Sequence, residues 1–262
     1  MHLKVIDHDF ARKSAIGPGR SPGSGRNDSH PPTVPGAQKG GARFRNRNGR
    51  ENEQLIRRRL LEACPEDEFY GEEGGGATSA AGRWIVDPID GTGNYVKDIP
   101  LYTVSIAYEL HGRLEIGCVY APALDEMYLA VRGGGAFCNG KPIHASIVSD
   151  PDDAIYAMSF AARLPEEHDH MLRVLNRMMG SCNDLRRMGS AAFDLCCAAC
   201  GRTEGFFELG LHIYDIAAGV VILVEAGGKV SGWQEGEDPL KTGNICATNG
   251  LTHAFLLSRI RD

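Results

Sequence analysis

Apolar positions along this chain recur in two rhythms, one near every second residue and one near every third or fourth. Leu55, Ile56, Leu60 and Leu61 keep helical spacing within residues 51–63, with Arg57, Arg58 and Arg59 between them. That stretch predicts an amphipathic helix with a solvated basic face, stopped by Pro65. Val104-Ser105-Ile106-Ala107-Tyr108 alternates and predicts a strand. His111-Gly112-Arg113 turns the chain, and residues 115–120 and 126–130 predict the next two strands. Residues 133–140 predict another hairpin, closed by the Asn139-Gly140 turn signal. The second half predicts a strand at 154–160, a helix at 168–179, and a short strand with a small-residue turn at 184–191. A helix at 192–200 and a strand at 205–208 follow. A helix at 216–225, strands at 229–231 and 245–247, and a terminal helix at 253–260 close the chain.

One stretch breaks the rhythm. Trp84-Ile85-Val86 reads as a strand, and Asp87-Pro88-Ile89-Asp90 then places two carboxylates around a proline, ahead of Gly91-Thr92-Gly93-Asn94. Proline fixes its own φ and cannot donate a backbone hydrogen bond, so the strand is expected to end in a rigid bend. Such a bend can aim Asp87 and Asp90 at one point. Oxygen ligands there suit a hard cation, Mg²⁺ or Mn²⁺, better than zinc. The N–H groups of Gly91 and Thr92 could face a phosphate. Taken alone, two acids in a turn are more often an ordinary acidic loop.

Two further segments strengthen the reading. Gly71-Glu72-Glu73-Gly74 is a second acidic turn, and Tyr214-Asp215-Ile216-Ala217-Ala218-Gly219 sets an acid ahead of an apolar helix. Together the three resemble the inositol monophosphatase family of metal-dependent phosphomonoesterases, whose marks are G-E-E, W-[IV]-[IV]-D-P-[IL]-D-G-T and W-D-x-[AG]-[AG]. Residues 133–140 are also similar to the family's G-x-G-A-[FW]-x-N-G hairpin. The resemblance runs from about residue 51 to the end of the chain. It implies a mixed α/β fold, a layered αβαβα sandwich, with subdomains at 51–147 and 148–262. It also implies a Mg²⁺ site, with Mn²⁺ as a substitute, formed by Glu72, Asp87, Asp90, Asp215 and the carbonyl of Ile89. Glu72 and Thr92 would orient the attacking water, with Asp90 beside them. Gly91 and Thr92 would hold the phosphate. Gly189, Ser190 and Ala191 at a helix start, with Glu208 and Asp215, would contact the substrate. Tyr214 stands where the family usually has Trp, which keeps an aromatic ring there.

Composition narrows the remaining choices. The chain has 262 residues, 42% hydrophobic and 24% charged, which suits a globular protein with a full core. A net charge of −6 argues against a general nucleic-acid binder. No apolar run reaches membrane-span length, and the N-terminus lacks a secretory apolar core. Eight irregularly spaced cysteines read as reduced thiols and place the protein in the cytoplasm. Cys196, Cys197 and Cys200 could suggest redox chemistry or zinc, but no second pair is spaced to complete a zinc site. Gly133-Gly134-Gly135 suggests a phosphate loop, but no Lys-Ser/Thr follows it. His212 is read as a structural neighbour of the site.

Residues 1–50 do not match the rest; from Ser14 onward they are crowded with Gly, Pro, Ser, Arg and Asn and show no period. Taken literally they are a basic arm without regular structure. A different reading comes from back-translation. Codons can be chosen for residues 38–49 so that sliding the frame by one base yields RKGARDFVTET and an incomplete Asp or Glu codon. The family carries a T-x-x-D motif at this place, preceded by a helix. This segment is therefore read as a frameshifted version of an ordinary family N-terminus, lacking an aspartate that would help hold a further metal. Substrates expected from the resemblance are inositol 1-phosphate or a related polyol or sugar phosphate. Alternatives are 3′-phosphoadenosine 5′-phosphate, fructose 1,6-bisphosphate or histidinol phosphate, or a weakly active homologue. A homodimer is the expected assembly.

Overall fold

The computed structural model describes residues 47–75, 81–160 and 164–261. Readings of residues 1–46 and of the loop at 76–80 lie outside the described residues. The first helix, α1 (Arg47–Ala63), starts earlier than the periodicity predicts. Contacts beyond the helix account for this. Arg50 and Glu53 both engage Glu73, so the polar start is tied down by the acidic turn. Ile56 and Leu60 are fully buried, as their spacing requires.

Strand β1 (Glu68–Gly71) runs parallel to β2 (Gly82–Asp90). From β2 the chain meanders antiparallel through β3 (Thr103–Leu110), β4 (Arg113–Ala121), β5 (Glu126–Val131), β6 (Ala136–Cys138) and β7 (Lys141–Ile143). These form a seven-stranded sheet in chain order. Both hairpin signals hold, with His111 and Gly112 at φ 50° and 74° and Asn139 and Gly140 at φ 49° and 74°. Pro88 does not end β2. The strand continues to Asp90, and its pairing with β3 jumps from Asp87↔Ser105 to Asp90↔Thr103. That inserts one extra residue, a bulge placed where proline has no N–H to give the ladder.

The second sheet has five strands in the order β11-β12-β10-β8-β9. They are β8 (Ile155–Met158), β9 (Asp184–Arg186), β10 (Gly205–Glu208), β11 (Lys229–Ser231) and β12 (Ile245–Thr248). A short helix, α2 (Thr92–Val96), follows β2, and α3 (His168–Met178) precedes β9. Helices α4 (Ala191–Ala199) and α5 (Ile213–Glu225) lie between the sheets; their Leu195, Ile216 and Ile222 share one core with Ile85 and Val119 on one side and Phe206 and Ile245 on the other. A four-residue helix, α6 (Pro239–Thr242), leads to β12, and α7 (His253–Ile260) covers the far face beside α3. On the opposite outside, α1 packs on Trp84, Val86 and Ile106 of the first sheet. The layers are therefore α, β, α, β, α, as the family resemblance implies. Helix α5 begins at Ile213, three residues earlier than predicted, so Asp215 lies inside its first turn.

Gly133 and Gly135 do bind an anion, but it is the chain's own. Their N–H groups donate to the two carboxylate oxygens of Glu225 at 2.9 and 3.0 Å, tying the C-terminal end of α5 to the β5–β6 turn. All eight cysteines are free, with Cys196 and Cys197 buried in α4 as small core residues. No described helix is long and apolar enough to cross a membrane.

Candidate metal and phosphate site

The bulge at the end of β2 turns two acids to the same side. One oxygen each from Asp87, Asp90 and Asp215 lies within 4.8 Å of the others, and all three residues are buried. Asp215 arrives from α5, where its other role is local. It accepts the backbone N–H of His212 at 2.6 Å, while its own N–H donates to the His212 carbonyl at 3.0 Å, a reciprocal tie at the helix start. His212 flanks the cleft without lining it. Helix capping and site assembly, which compete as explanations from sequence, are both served by Asp215.

Asp90 is held from two elements. Its Oδ2 accepts the Ser190 hydroxyl at 2.6 Å, the Ala192 N–H at 2.8 Å and the Thr103 hydroxyl at 3.4 Å. Ser190 is also the N-cap of α4. The free N–H groups and positive end of that helix therefore face a carboxylate from the other sheet. Gly91 makes the approach possible. At φ 85° it is left-handed, and a Cβ there would meet the carbonyl oxygens of Gly189 and Leu101, both at 3.1 Å. Asn94 pins the same junction, donating to Leu101 and Met188 carbonyls at 2.6 and 2.7 Å.

Glu72 comes from the turn after β1. It lies on the same cleft but outside the close triad, and its N–H donates to the Val86 carbonyl at 3.2 Å. Helix α1 positions this turn through Glu53, whose carboxylate accepts the Glu73 N–H at 2.8 Å. Gly71 and Gly74 both abut that carboxylate, which leaves no room for a Cβ at either end of the turn. Burial is the main cause that pushes the Glu53 carboxyl above its ordinary range.

Burial likewise drives the Asp87 carboxyl well above the usual carboxylate range, and the charges of Glu72, Asp90 and Asp215 add to it. This is the electrostatic mark of a cation site: several acids crowd together at a cost that a divalent ion relieves. The donors are all oxygen, which fits a hard ion. Among the described residues no other group of His, Cys, Asp or Glu meets the same geometric test.

The cleft around the triad has a volume of about 300 Å³. Every residue singled out from the sequence lines it: Glu72, Asp87, Ile89, Asp90, Gly91 and Thr92 from one side, and Gly189, Ser190, Ala191, Glu208 and Asp215 from the other. The Thr92 hydroxyl donates to the Ile89 carbonyl at 2.9 Å. Among the lining or supporting residues that carry no signal in the sequence are Glu53, Ser159, Arg187 and Asp194, and Asn94 reads there only as part of a turn. Asp194 lies in the first turn of α4, and burial, followed by the charges of Asp90 and Glu208, drives its carboxyl well up. Nothing in the local sequence marks it, because an acid in a first helical turn is ordinary.

The inositol monophosphatase family pattern matches residues 37–262. The chain is 39% identical over 214 residues to inositol-1-monophosphatase of Mesorhizobium japonicum, covering 81% of this chain and 80% of that protein. It is 37% identical over 227 residues to Nus factor SuhB of Vibrio cholerae, covering 86% and 85%. In structure it is similar to the extragenic suppressor protein suhB of Bartonella henselae, with a TM-score of 0.81 at 36% identity over 86% of this chain and 87% of that one. With its motifs, layered fold and acidic cleft in agreement with these matches, the chain belongs to the inositol monophosphatase family of phosphomonoester hydrolases.

Proposed function

We propose that this protein hydrolyses inositol 1-phosphate or a related small polyol or sugar phosphate, with Mg²⁺ as cofactor and Mn²⁺ as a substitute. The observation that carries this reading is the meeting of Asp87, Asp90 and Asp215 within 4.8 Å in a cleft lined by two small-residue turns. Phosphate monoesters resist hydrolysis because their anionic oxygens repel a nucleophile and the alkoxide leaves poorly. Glu72, Asp87, Asp90, Asp215 and the Ile89 carbonyl would hold the divalent ions. Bound there, such ions supply positive charge for the phosphate and acidify water.

The chain's own groups do the positioning. The Gly91 and Thr92 N–H groups hold phosphate oxygens, and the turn at Gly189, Ser190 and Ala191 faces them. Glu72 accepts a proton from the attacking water, and Thr92 fixes that water's place. Ser190 and Ala192 keep Asp90 from rotating away. Glu208 accepts hydrogen bonds from hydroxyls of the alcohol. The same machinery would serve 3′-phosphoadenosine 5′-phosphate, fructose 1,6-bisphosphate or histidinol phosphate. Gly93-Asn94 after the D-G-T motif favours the inositol type, because histidinol phosphatases of the family tend to carry Arg there. Free thiols throughout support a cytoplasmic setting, and a homodimer is proposed from the family.

A second reading, favoured by the matches to proteins named Nus factor, is a weakly active or non-catalytic homologue that acts as an interaction protein. Phosphate release from a panel of these esters, with Mg²⁺ and with chelator, decides between the two. Mg²⁺-dependent release from inositol 1-phosphate is expected. Release from no ester at any Mg²⁺ concentration would leave only the second reading.

A further inference from the structure

Asp194 is anomalous within its own helix. It is 2% exposed, and its Oδ1 finds no hydrogen-bond donor in the chain among the described residues. Buried carboxylate oxygens are nearly always partnered, so one left over calls for a ligand or water. Asp194 lines the wall of the cleft that also carries Glu208, and Arg187 is the cation on that side. The other groups of the same turn are already used: Ser190 Oγ and Ala192 N hold Asp90, and the Asp194 N–H returns to the Ser190 carbonyl. The Asp194 side chain lines the cleft with one oxygen that no donor among the described residues reaches.

We propose that Asp194 is a specificity residue that accepts a hydrogen bond from a hydroxyl of the alcohol half of the ester, beside the hydroxyl read by Glu208. The inference rests on the phosphatase reading above and adds to it a substrate class: alcohols with at least two neighbouring hydroxyls. Two carboxyls on one wall select such a polyol, because each hydroxyl that meets an acceptor satisfies a buried group. An alcohol lacking them leaves the buried Asp194 oxygen desolvated and unpaired, which is the strongest route to discrimination in a closed site. Asp194 stands outside the close triad of Asp87, Asp90 and Asp215.

The test compares kcat/KM for inositol 1-phosphate with that for 4-nitrophenyl phosphate, whose alcohol has no aliphatic hydroxyl. In Asp194→Leu the ratio of the two is expected to fall at least tenfold, while Asp194→Asn, which keeps an acceptor oxygen of the same reach, holds the ratio within about threefold. Asp194→Ala provides the same reading should leucine disturb α4. The proposal is overturned if both substrates lose activity in proportion, as a purely structural residue would cause. It is also overturned if the variants raise the Mg²⁺ requirement for both esters alike, or leave the ratio untouched. A wild-type protein that cleaves neither ester removes the phosphatase reading itself, and this inference with it.

Discussion

Ser190 donates its hydroxyl hydrogen to Asp90 Oδ2 across 2.6 Å, although the two lie 100 residues apart along the chain. The bond joins the bulged end of one sheet to the first turn of a helix that packs on the other. It therefore couples the integrity of the fold to the shape of the site.

Ser190→Ala removes that donor and the cap that accepts the Phe193 N–H. A lost N-cap costs roughly 1 kcal/mol, and a lost hydrogen bond to a buried charge about 1.5–3 kcal/mol. Denaturant unfolding should register a loss within that combined range, and kcat should drop by about tenfold or more as Asp90 gains freedom. Ser190→Thr, which retains the hydroxyl, should recover most of both. If alanine is as stable and as active as serine, the coupling argued here does not exist.

Asp90→Asn should fold normally and lose most turnover, by about a hundredfold or more, equivalent to ~3 kcal/mol of barrier. The amide keeps the shape but removes one charge from a crowded triad, so the metal-free protein should be no less stable than wild type. The rise in Tm that Mg²⁺ confers on wild type should shrink in the variant. Full activity in Asp90→Asn would remove the metal assignment.

The buried acids predict an unusual pH response. In the folded chain Asp87 holds its proton more tightly than an exposed aspartate, whose ordinary value is 3.8. A raised carboxyl favours folding below that ordinary value, and the contribution is lost as pH rises through the folded value. His253 works in the opposite direction over a different window. Burial pushes it down from 6.5 to about 4, so its contribution is present above 6.5 and lost as pH falls toward 4. From 3.8 upward the carboxyl effect therefore opposes that of His253. Urea midpoints in chelator should rise less steeply with pH than His253 alone would make them, and Mg²⁺, by neutralising the carboxylates, should steepen the rise. Parallel curves with and without Mg²⁺ would contradict the origin assigned to the slope.

The family pattern begins at residue 37, earlier than the residue 51 expected from the motifs, and the segment around that start leads to a prediction about the gene. The first turn of α1 carries no acidic residue, and a Cβ on Gly49 would lie 3.2 Å from Glu73 Oε1, beside the site's acidic turn. A frame-corrected version would restore an acid at this helix start. It should hydrolyse the preferred ester faster than the chain as written, at saturating Mg²⁺. Equal rates would show that the missing acid is dispensable, and resequencing of the locus tests the frame itself.

Much of this protein is legible one segment at a time. The helical spacing of Leu55, Ile56, Leu60 and Leu61, the alternation at 104–108 and the Asn139-Gly140 turn each follow from local physics, and each appears in the structure. The acids at 72, 87, 90 and 215 could be picked out because their local motifs are unusual. What stayed hidden depends on contacts between distant segments. Pro88 looks like a terminator until β3 pairs around it through a bulge. Gly133 to Gly135 looks like a ligand loop until Glu225 fills it. Asp194 looks like a routine first-turn acid until packing buries it facing the cleft. Sequence alone determined which groups can carry charge and where the chain can bend, because those are properties of single residues and their neighbours. Only the tertiary structure decided which of those groups share one desolvated space, because burial and electrostatic coupling are set by every segment that closes around them.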